Sequence, residues 1–435
     1  MHSFTSTKQP MPALSRRAAL RALAGAGAAA LSGQIWAQSA PTLGAGRLIV
    51  VFLRGAYDGL SAFIPYADPH YSQLRSQIAV PAPDGSAQSA IRLDPMFGMH
   101  PALAPLLPLW QQGVLAFIPA SGSPDKTRSH FEAQHHWEIA QPGKNSDAPG
   151  WLNKLALLGQ GPAQLAPAQK SLAIGVGEAN PRILAGEALV QLIPRGQAAT
   201  RQGALGNETA RKALLDLYSG DDLLSLAYRQ GASSRMQTAQ TLSLDAAQMM
   251  SPGMLESNAA DNGAASANGL PLDARHLATL MRQNRDLRLG FLSAGGWDTH
   301  ANQGAASGQL ANNFSSLATA LAQLRREFSQ NGDMIIVASE FGRTCAENGT
   351  RGTDHGHGNA MWLIGNRVNG GRWHGQWDGL APGQLNEGRD LPVHHDFRAV
   401  LAQTLARNFN LSESQLAEIL PGARWDAKLD GLLKA

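Results

Sequence analysis

Six short runs of apolar residues recur along the chain without regular polar alternation. The first, RLIVVFL at 47–53, is apolar from its second residue onward and rich in β-branched side chains. A strand of this kind is buried on both faces, whereas a strand with one wet face alternates polar and apolar residues. The pattern therefore predicts a central sheet with strands at 47–53, 115–120, 171–176, 287–292, 334–340 and 360–365.

Helical patterns separate these strands, because apolar residues recur there three and four positions apart. They lie at 129–140, 209–229, 272–285 and 309–328. Alternation of strands and helices is typical of an α/β fold with helices on both faces of a mostly parallel sheet. Residues 251–270 hold few large apolar side chains and favour a loop. Since predicted strands lie on both sides of it, we expect a single domain, 38–435, with a helical and flexible insertion at about 200–270.

The first 37 residues carry a different pattern. Arg16 and Arg17 precede a small apolar run of about ten residues, and Ala37 stands before the expected cleavage point. This resembles a twin-arginine signal, although Ala19 stands where that signal usually has Phe. A membrane span needs roughly 20 apolar residues. We therefore expect a cleaved signal at 1–37, the twin-arginine export machinery as a partner, a periplasmic or secreted protein, and no stable membrane span after cleavage.

Charge and cysteine content exclude some functions and structures. The formal net charge is +3, yet without the four basic residues of 1–37 the chain has 32 basic residues against 33 acidic ones. Nucleic acid is therefore not expected as a partner. Cys345 is the only cysteine, which excludes an internal disulfide and favours a buried, unreactive thiol.

Residues of types that can bind metals or anions follow several of the predicted strands. In open α/β sheets, ligands bind beyond the carboxyl ends of the strands. The polar residues in question are Arg54 and Asp58 after the first strand, Asp298 and His300 after LRLGFL, and Glu340 and Arg343 in SEFGRT. The sequence therefore predicts one site at one edge of the sheet.

The segment GTDHGHGN at 352–359 adds two histidines just before the last strand. In an extended chain, His355 and His357 point to the same side and can share one ion. With Asp298 and His300 they form a carboxylate and imidazole set that suits zinc, manganese or iron better than calcium. We therefore expect a divalent metal. The alternatives are a polar surface turn and a hydrogen-bonded Asp–His pair that caps the next helix.

Ser129 opens the helical pattern RSHFEAQHHWE. Serine is a favoured helix N-cap, but a hydroxyl at a helix N-terminus is also well placed as a nucleophile beside an anionic ester. Arg54 and Arg343 are candidates to bind the same anion, with a structural role as the alternative for each. Glu340 ends a buried strand, where a carboxylate must be paired or bound to metal.

Seven motifs, in order from about 47 to 421, resemble the bacterial exported family called domain of unknown function 1501. They are VVFLRGAYDGL, FGMHPALAPLLPLW, RSHFEAQHHWE, GWDTHANQ, SEFGRT, GTDHGHGN and LPVHHDFRAVL. That family resembles the alkaline phosphatase and sulfatase superfamily in its sheet and in the order of its polar motifs. The resemblance implies a three-layer α/β fold and a metal-dependent hydrolase that acts on an anionic small-molecule ester of phosphate or sulfate.

The resemblance also implies a role for each matching residue. These are Asp58 as first acidic ligand, Ser129 as nucleophile, Asp298 with His300 as a later pair, Glu340 as the next acid, and His355 or His357 as last ligand. Phe341 stands where the superfamily places a histidine, which implies one metal rather than two, a different metal, or a fold that has lost its chemistry. The alternative function is a non-catalytic periplasmic binding or assembly protein.

Overall fold

The computed structural model describes residues 43–434 except 45, 145, 161–170, 179–180, 247–258 and 265. The expected signal at 1–37 lies outside the described residues, as do 251–258 of the expected loop. The export signal, its machinery and the cleavage point therefore stay predictions.

Twelve strands are present in the described part of the chain. They are β1 Arg47–Leu53, β2 Phe63–Ile64, β3 Ile91–Arg92, β4 Gly98–Met99, β5 Leu115–Gly122, β6 Ala173–Gly177, β7 Val190–Pro194, β8 Leu289–Ala294, β9 Asp333–Ala338, β10 Asn359–Gly365, β11 Arg372–Trp373 and β12 His395–Asp396. All six predicted strands occur, each within two residues of its expected bounds.

The main sheet has the order β11-β5-β10-β9-β1-β8-β6-β7, and β12 pairs with β5. Strand β1 pairs in parallel with β8 and β9. Strand β10 runs antiparallel to both β5 and β9, while the other pairs of the main sheet are parallel. Strands β2, β4 and β3 form a separate small antiparallel sheet. The predicted mostly parallel α/β sheet is confirmed. Because β10 is reversed, the segment before it lies at the same edge as the carboxyl ends of β1, β8 and β9.

Helices connect these strands. The α-helices of the described residues are Gly59–Ala62, Tyr71–Leu74, Leu107–Gln111, His130–Glu138, Trp151–Gln160, Glu208–Leu217, Leu223–Ala246, Leu270–Gln283, Gln309–Glu327, Phe397–Phe409 and Glu413–Ile419. The predicted helical run 209–229 is divided in two because Asp222 begins a new helix, accepting a hydrogen bond from the Ser225 backbone N–H. Within the described ranges, no helix has both the length and the apolar character to cross a bilayer.

The alternating side chains of β1 show how the core is layered. Leu48, Val50 and Phe52 pack into one apolar cluster, which also contains residues of the helices Trp151–Gln160 and Phe397–Phe409. The intervening Ile49, Val51 and Leu53 pack into a second cluster with the helices Leu270–Gln283 and Gln309–Glu327. Burial on both faces explains why the strands read as continuous apolar runs.

Candidate metal centre

Polar side chains from four segments converge at the carboxyl edge of the sheet. Asp298 and His300 follow β8, Arg343 follows β9, and His355 precedes the reversed strand β10. His130 comes from the start of the helix that follows β5. Of the predicted site residues, the structure therefore brings together Asp298, His300, His355 and Arg343.

Three imidazole nitrogens surround one carboxylate oxygen. Asp298 Oδ1 lies 2.9 Å from His300 Nε2, 3.2 Å from His355 Nε2 and 3.5 Å from His130 Nε2. His355 Nε2 also lies 3.0 Å from the Nε2 atoms of both His130 and His300. A tetrahedral zinc ion with bonds of about 2.0–2.1 Å separates its ligand atoms by roughly 3.3 Å. The ligand atoms of His130, Asp298 and His355 all lie within 4.8 Å of one another, close enough to hold one ion, and His300 Nε2 lies beside two of them.

The opposite nitrogen of each imidazole faces a hydrogen-bond acceptor. The acceptors are Glu340 Oε1 at 2.7 Å from His130 Nδ1, Asp354 Oδ1 at 3.0 Å from His300 Nδ1, and the Arg128 carbonyl oxygen at 2.9 Å from His355 Nδ1. A neutral imidazole that donates from Nδ1 presents a lone pair at Nε2. Three such lone pairs and a carboxylate oxygen repel one another unless a cation or a proton lies among them.

Asp298 is held in its ionised form. Burial opposes its charge, but hydrogen bonds from His130, His355 and Arg343 outweigh burial and lower the pKa of Asp298 far below its ordinary value. The Arg343 Nη1 contact to Asp298 Oδ1 is 2.7 Å. Burial also disfavours protonated His130, yet its bonds to Asp298 and Glu340 prevail and raise the pKa of His130 to about 9. Without metal, a proton on His130 therefore relieves part of the repulsion.

Glu340 lies behind His130 rather than among the four converging atoms. It is fully buried and accepts hydrogen bonds from Gly55 N at 2.8 Å, Gln134 Nε2 at 2.9 Å and Ser339 Oγ at 2.8 Å. A carboxylate in this position fixes the tautomer and orientation of a metal-binding histidine. The geometry thus gives Glu340 an orienting role in place of the direct ligation expected from the sequence.

Asp58 is not part of the cluster. Its carboxylate is 1% exposed and accepts from two nitrogens of Arg75, with Oδ1 at 3.0 Å from Nη2. Ser61 Oγ and Gln303 Nε2 each donate to Oδ2 at 2.7 Å. Burial opposes the charge, but Arg75 outweighs it and lowers the pKa of Asp58. The expected role as first metal ligand is corrected, because this buried ion pair occupies both oxygens.

The Arg54 side chain also lies outside the cluster, bound to other side chains inside the protein. The side chain is 0% exposed and its guanidinium donates to Glu138, Glu178 and Gln134. Arg343 is 2% exposed and donates to Asp298 and to Thr353. The expected anion-binding role is therefore corrected for Arg54, because its buried carboxylates retain their donor. Arg343 lies at the cluster beside the half-buried Asp298, and its anion-binding role stays a prediction.

His357 does not join His355. His355 forms an isolated antiparallel bridge with Arg343, β10 begins at Asn359, and the group of possible metal ligands contains His355 but not His357. The charged groups that act on His357 are Asp390, Arg128, Lys126 and Asp125, a different set from those around Asp298. The structure thus separates the two histidines of GTDHGHGN.

Ser129 lies beside the cluster and is exposed. It is the N-cap residue of His130–Glu138, but its side chain makes no capping hydrogen bond. Its two neighbours in sequence are tied to the cluster, since Arg128 O accepts from His355 and His130 contributes Nε2. The hydroxyl is therefore accessible at the rim of the site.

Sequence reasoning missed His130 as a ligand. The sequence feature that could have indicated His130 is its position next to Ser129, at the start of the helix after β5. The ring of Phe341 stacks on His130 with centroids 4.8 Å apart and covers one face of the imidazole.

Comparisons with known proteins place the chain in a family. The family model described as Protein of unknown function (DUF1501) matches residues 115–420. No curated protein matches.

Among solved structures, similarity extends to members of the alkaline phosphatase superfamily. A histidine variant of TAB5 alkaline phosphatase with magnesium bound is 12% identical, with a TM-score of 0.32 and coverage of 88% of this chain and 99% of that one. A superfamily protein from Vibrio parahaemolyticus is 11% identical, with a TM-score of 0.30 and coverage of 75% and 65%. Since the family model spans most of the sequence, the chain belongs to the DUF1501 family.

Proposed function

We propose that this chain is a metal-dependent hydrolase with one divalent ion held by His130, Asp298, His300 and His355. The observation that carries the proposal is the convergence of three Nε2 atoms on Asp298 Oδ1, with each Nδ1 turned to an acceptor. Imidazole and carboxylate donors suit zinc, manganese or iron. An ion there would act as a Lewis acid on the scissile group and make a bound water more acidic.

The protein's own groups have separate parts in this proposal. Glu340 fixes the His130 tautomer, and Arg343 keeps Asp298 ionised. The accessible Ser129 hydroxyl, at the N-terminus of a nine-residue helix, is the candidate nucleophile, because free backbone N–H groups at a helix start stabilise nearby negative charge. A water molecule that attacks directly is the alternative to Ser129.

The proposed substrate is an anionic small-molecule ester of phosphate or sulfate. Two considerations support it: the helix start at Ser129, which favours an anion, and the resemblance of the motifs to the alkaline phosphatase and sulfatase superfamily. The proposed location is periplasmic or secreted, after export through the twin-arginine machinery.

The experiment uses purified protein loaded with zinc, manganese or iron(II), and p-nitrophenyl phosphate and p-nitrophenyl sulfate as probes. We expect turnover by the wild type that is lost in Asp298→Asn together with the bound metal. Ser129→Ala separates the two nucleophiles, because loss of a covalent intermediate with retained turnover identifies water as the attacking group. Fully loaded wild-type protein that hydrolyses neither probe would contradict the proposed substrate class.

One observation favours the second candidate, a binding or assembly protein with the same fold. Arg54 and Arg343, the expected anion-binding side chains, pair with Glu178 and Asp298, which makes each guanidinium less available to stabilise the developing charge of an ester. A fully metal-loaded protein that turns over neither ester would support this alternative.

A further inference from the structure

One face of the helix that supplies His130 carries a buried polar network. Within His130–Glu138, the residues His130, Gln134 and Glu138 stand four positions apart, a spacing that places side chains on the same face of an α-helix. All three side chains are buried. Buried polar groups cost free energy unless each has a hydrogen-bond partner, so the partners of this face show what the helix holds in place.

Both ends of the Gln134 amide have partners that fix its orientation. Its Oε1 accepts from Arg54 Nη1 at 2.8 Å, and its Nε2 donates to Glu340 Oε1 at 2.9 Å and to the Ala260 carbonyl oxygen at 2.8 Å. A guanidinium only donates, and an ionised carboxylate only accepts. The reversed amide would face a donor with a donor and an acceptor with an acceptor, so these partners allow one orientation.

Arg54 is itself held by two carboxylates. Its Nε donates to Glu178 Oε1 at 2.6 Å, and its Nη2 donates to Glu138 Oε1. Glu178 also accepts from the Ser293 hydroxyl. Burial opposes the charge of Arg54, but Glu138 and Glu178 outweigh burial and raise the pKa of Arg54 above its ordinary value. The guanidinium therefore stays charged and fixed, with Nη1 directed at the Gln134 oxygen.

The network joins the helix to several strand ends. Arg54 follows β1, Glu178 follows β6 and Glu340 follows β9. Gln134 is the side chain between the first two of these groups and the third, because Arg54 bonds its oxygen and Glu340 accepts from its nitrogen. Movement of the amide would break both bonds together.

We propose that Gln134 is a positioning residue of the metal centre, which holds Glu340 in the orientation that fixes His130. The inference rests on the metal site of the proposed function. Glu340 Oε1 has three donors, Gly55 N at 2.8 Å, His130 Nδ1 at 2.7 Å and Gln134 Nε2 at 2.9 Å. Of these, Gln134 is the donor that a substitution can remove without altering the main chain or a metal ligand.

The test compares zinc binding by the purified full chain in wild type and Gln134→Met. Methionine has nearly the length of glutamine but donates no hydrogen bond, so Glu340 loses one donor and Arg54 its acceptor. We expect zinc affinity, measured by competition with a chromophoric chelator, to fall about tenfold, the lower end of the loss that follows removal of hydrogen-bonding partners around metal ligands.

A second variant tests the same role while keeping an amide. Gln134→Asn is one methylene shorter and cannot reach Arg54 and Glu340 at once. We expect zinc affinity to fall in this variant as well, and it carries the test where Gln134→Met does not fold.

Asn153→Leu is the matched control for a purely structural effect. The Asn153 amide is also buried, donates to the carbonyl oxygens of Leu184 and Ala188, and accepts from Ala188 N. Asn153→Leu and Gln134→Met should both lower the free energy of unfolding of the metal-free protein in urea. Only Gln134→Met should weaken zinc binding.

Proton NMR of the cobalt(II)-loaded protein adds a readout at His130 itself. Its Nδ1 proton, donated to Glu340, should be the slowest of the paramagnetically shifted imidazole protons to exchange with water, because His130 is buried whereas His300 and His355 are half-buried. We expect this exchange to be faster in Gln134→Met than in wild type or Asn153→Leu.

The possible failures are distinguishable. A wild type that binds neither zinc nor cobalt(II) would overturn this inference together with the metal site. A wild type that binds zinc, with unchanged affinity in the folded Gln134 variants or an equal loss in Asn153→Leu, would overturn the positioning role alone.

Discussion

Glu340 Oε1 lies 2.7 Å from His130 Nδ1, and the opposite nitrogen of the same imidazole lies 3.0 Å from His355 Nε2. The buried carboxylate and the converging nitrogens are thus on two sides of one ring. Because a buried carboxylate needs a donor, His130 is held with Nδ1–H towards Glu340 and Nε2 towards the cluster. The orientation of His130 therefore depends on a residue that does not itself reach the proposed ion.

Glu340→Gln should weaken metal binding without removing a ligand. The amide oxygen can still accept from His130, but the negative charge that makes the imidazole a better donor to metal is lost. We expect a loss of affinity of about 10–100-fold, measured by competition with a chromophoric chelator. The matched control is Glu132→Gln, an exposed acid on the same helix. Equal affinities for Glu340→Gln and wild type would rule out the orienting role.

Metal binding should strengthen as the pH rises. In the metal-free protein the pKa of His130 is raised to about 9, so a metal ion must displace its proton at neutral pH. Apparent affinity is expected to rise about tenfold per pH unit from 7 to 9 and to level off above 9. Titration calorimetry at pH 7.5 in buffers of different ionisation enthalpy should show release of about one proton. Binding that releases no proton would disagree with this assignment.

Asp58→Asn should destabilise the fold and leave the metal in place. Removing one partner of a buried ion pair leaves Arg75 uncompensated and costs about 3–5 kcal/mol in the free energy of unfolding. Denaturant unfolding measures this loss, and elemental analysis of the folded fraction measures the metal. Asp298→Asn is the contrasting variant, with the metal lost. Metal-free but folded Asp58→Asn protein would restore Asp58 as a ligand.

A buried acid outside the cluster, Asp273, should make stability depend on pH. Burial raises the pKa of Asp273 to about 6, and its Oδ1 accepts from Gly196 N at 2.7 Å. The pKa of Asp273 is higher in the folded than in the unfolded protein, so protonated Asp273 contributes to the free energy of unfolding. That contribution is fully present below about pH 4 and is lost as the pH rises through 6.

Asp273→Asn keeps an acceptor for Gly196 and carries no charge. It should raise the free energy of unfolding at pH 7.5 by on the order of 2 kcal/mol and change it little at pH 4. Urea unfolding at the two pH values checks both statements. The same effect at both pH values would show that the charge of Asp273 is not its source.

Much of the sheet was predictable because its strands are buried on both faces. Apolar runs such as 47–53 mark such strands directly, and the rule that polar residues collect at their carboxyl ends anticipated the meeting of Asp298 and His300. The direction of β10 was not encoded in its apolar pattern, because a strand buried on both faces reads alike in either direction. That reversal is what places His355 at the same edge.

The roles of the buried charged residues were less predictable. Arg54 and Asp58 follow β1 as a substrate-binding pair would, but each is satisfied by a partner distant in sequence. Arg54 pairs with Glu138, 84 positions away, and Asp58 with Arg75. Ion pairs of this kind depend on the assembled fold, so strand-end position alone could not separate them from ligands. His130 was not predicted as a ligand because it lies at the start of a helix, where helix formation and capping already account for the residues present.

Elemental analysis of purified protein for zinc, manganese and iron, in wild type, His355→Ala and His357→Ala, tests the metal site most directly. The two substitutions are matched, because both histidines lie in GTDHGHGN and the structure places only His355 at Asp298. We predict about one metal ion per chain in the wild type and in His357→Ala, and its loss from folded His355→Ala. A wild type that holds no metal after reloading, or equal metal content in all three proteins, would contradict the account.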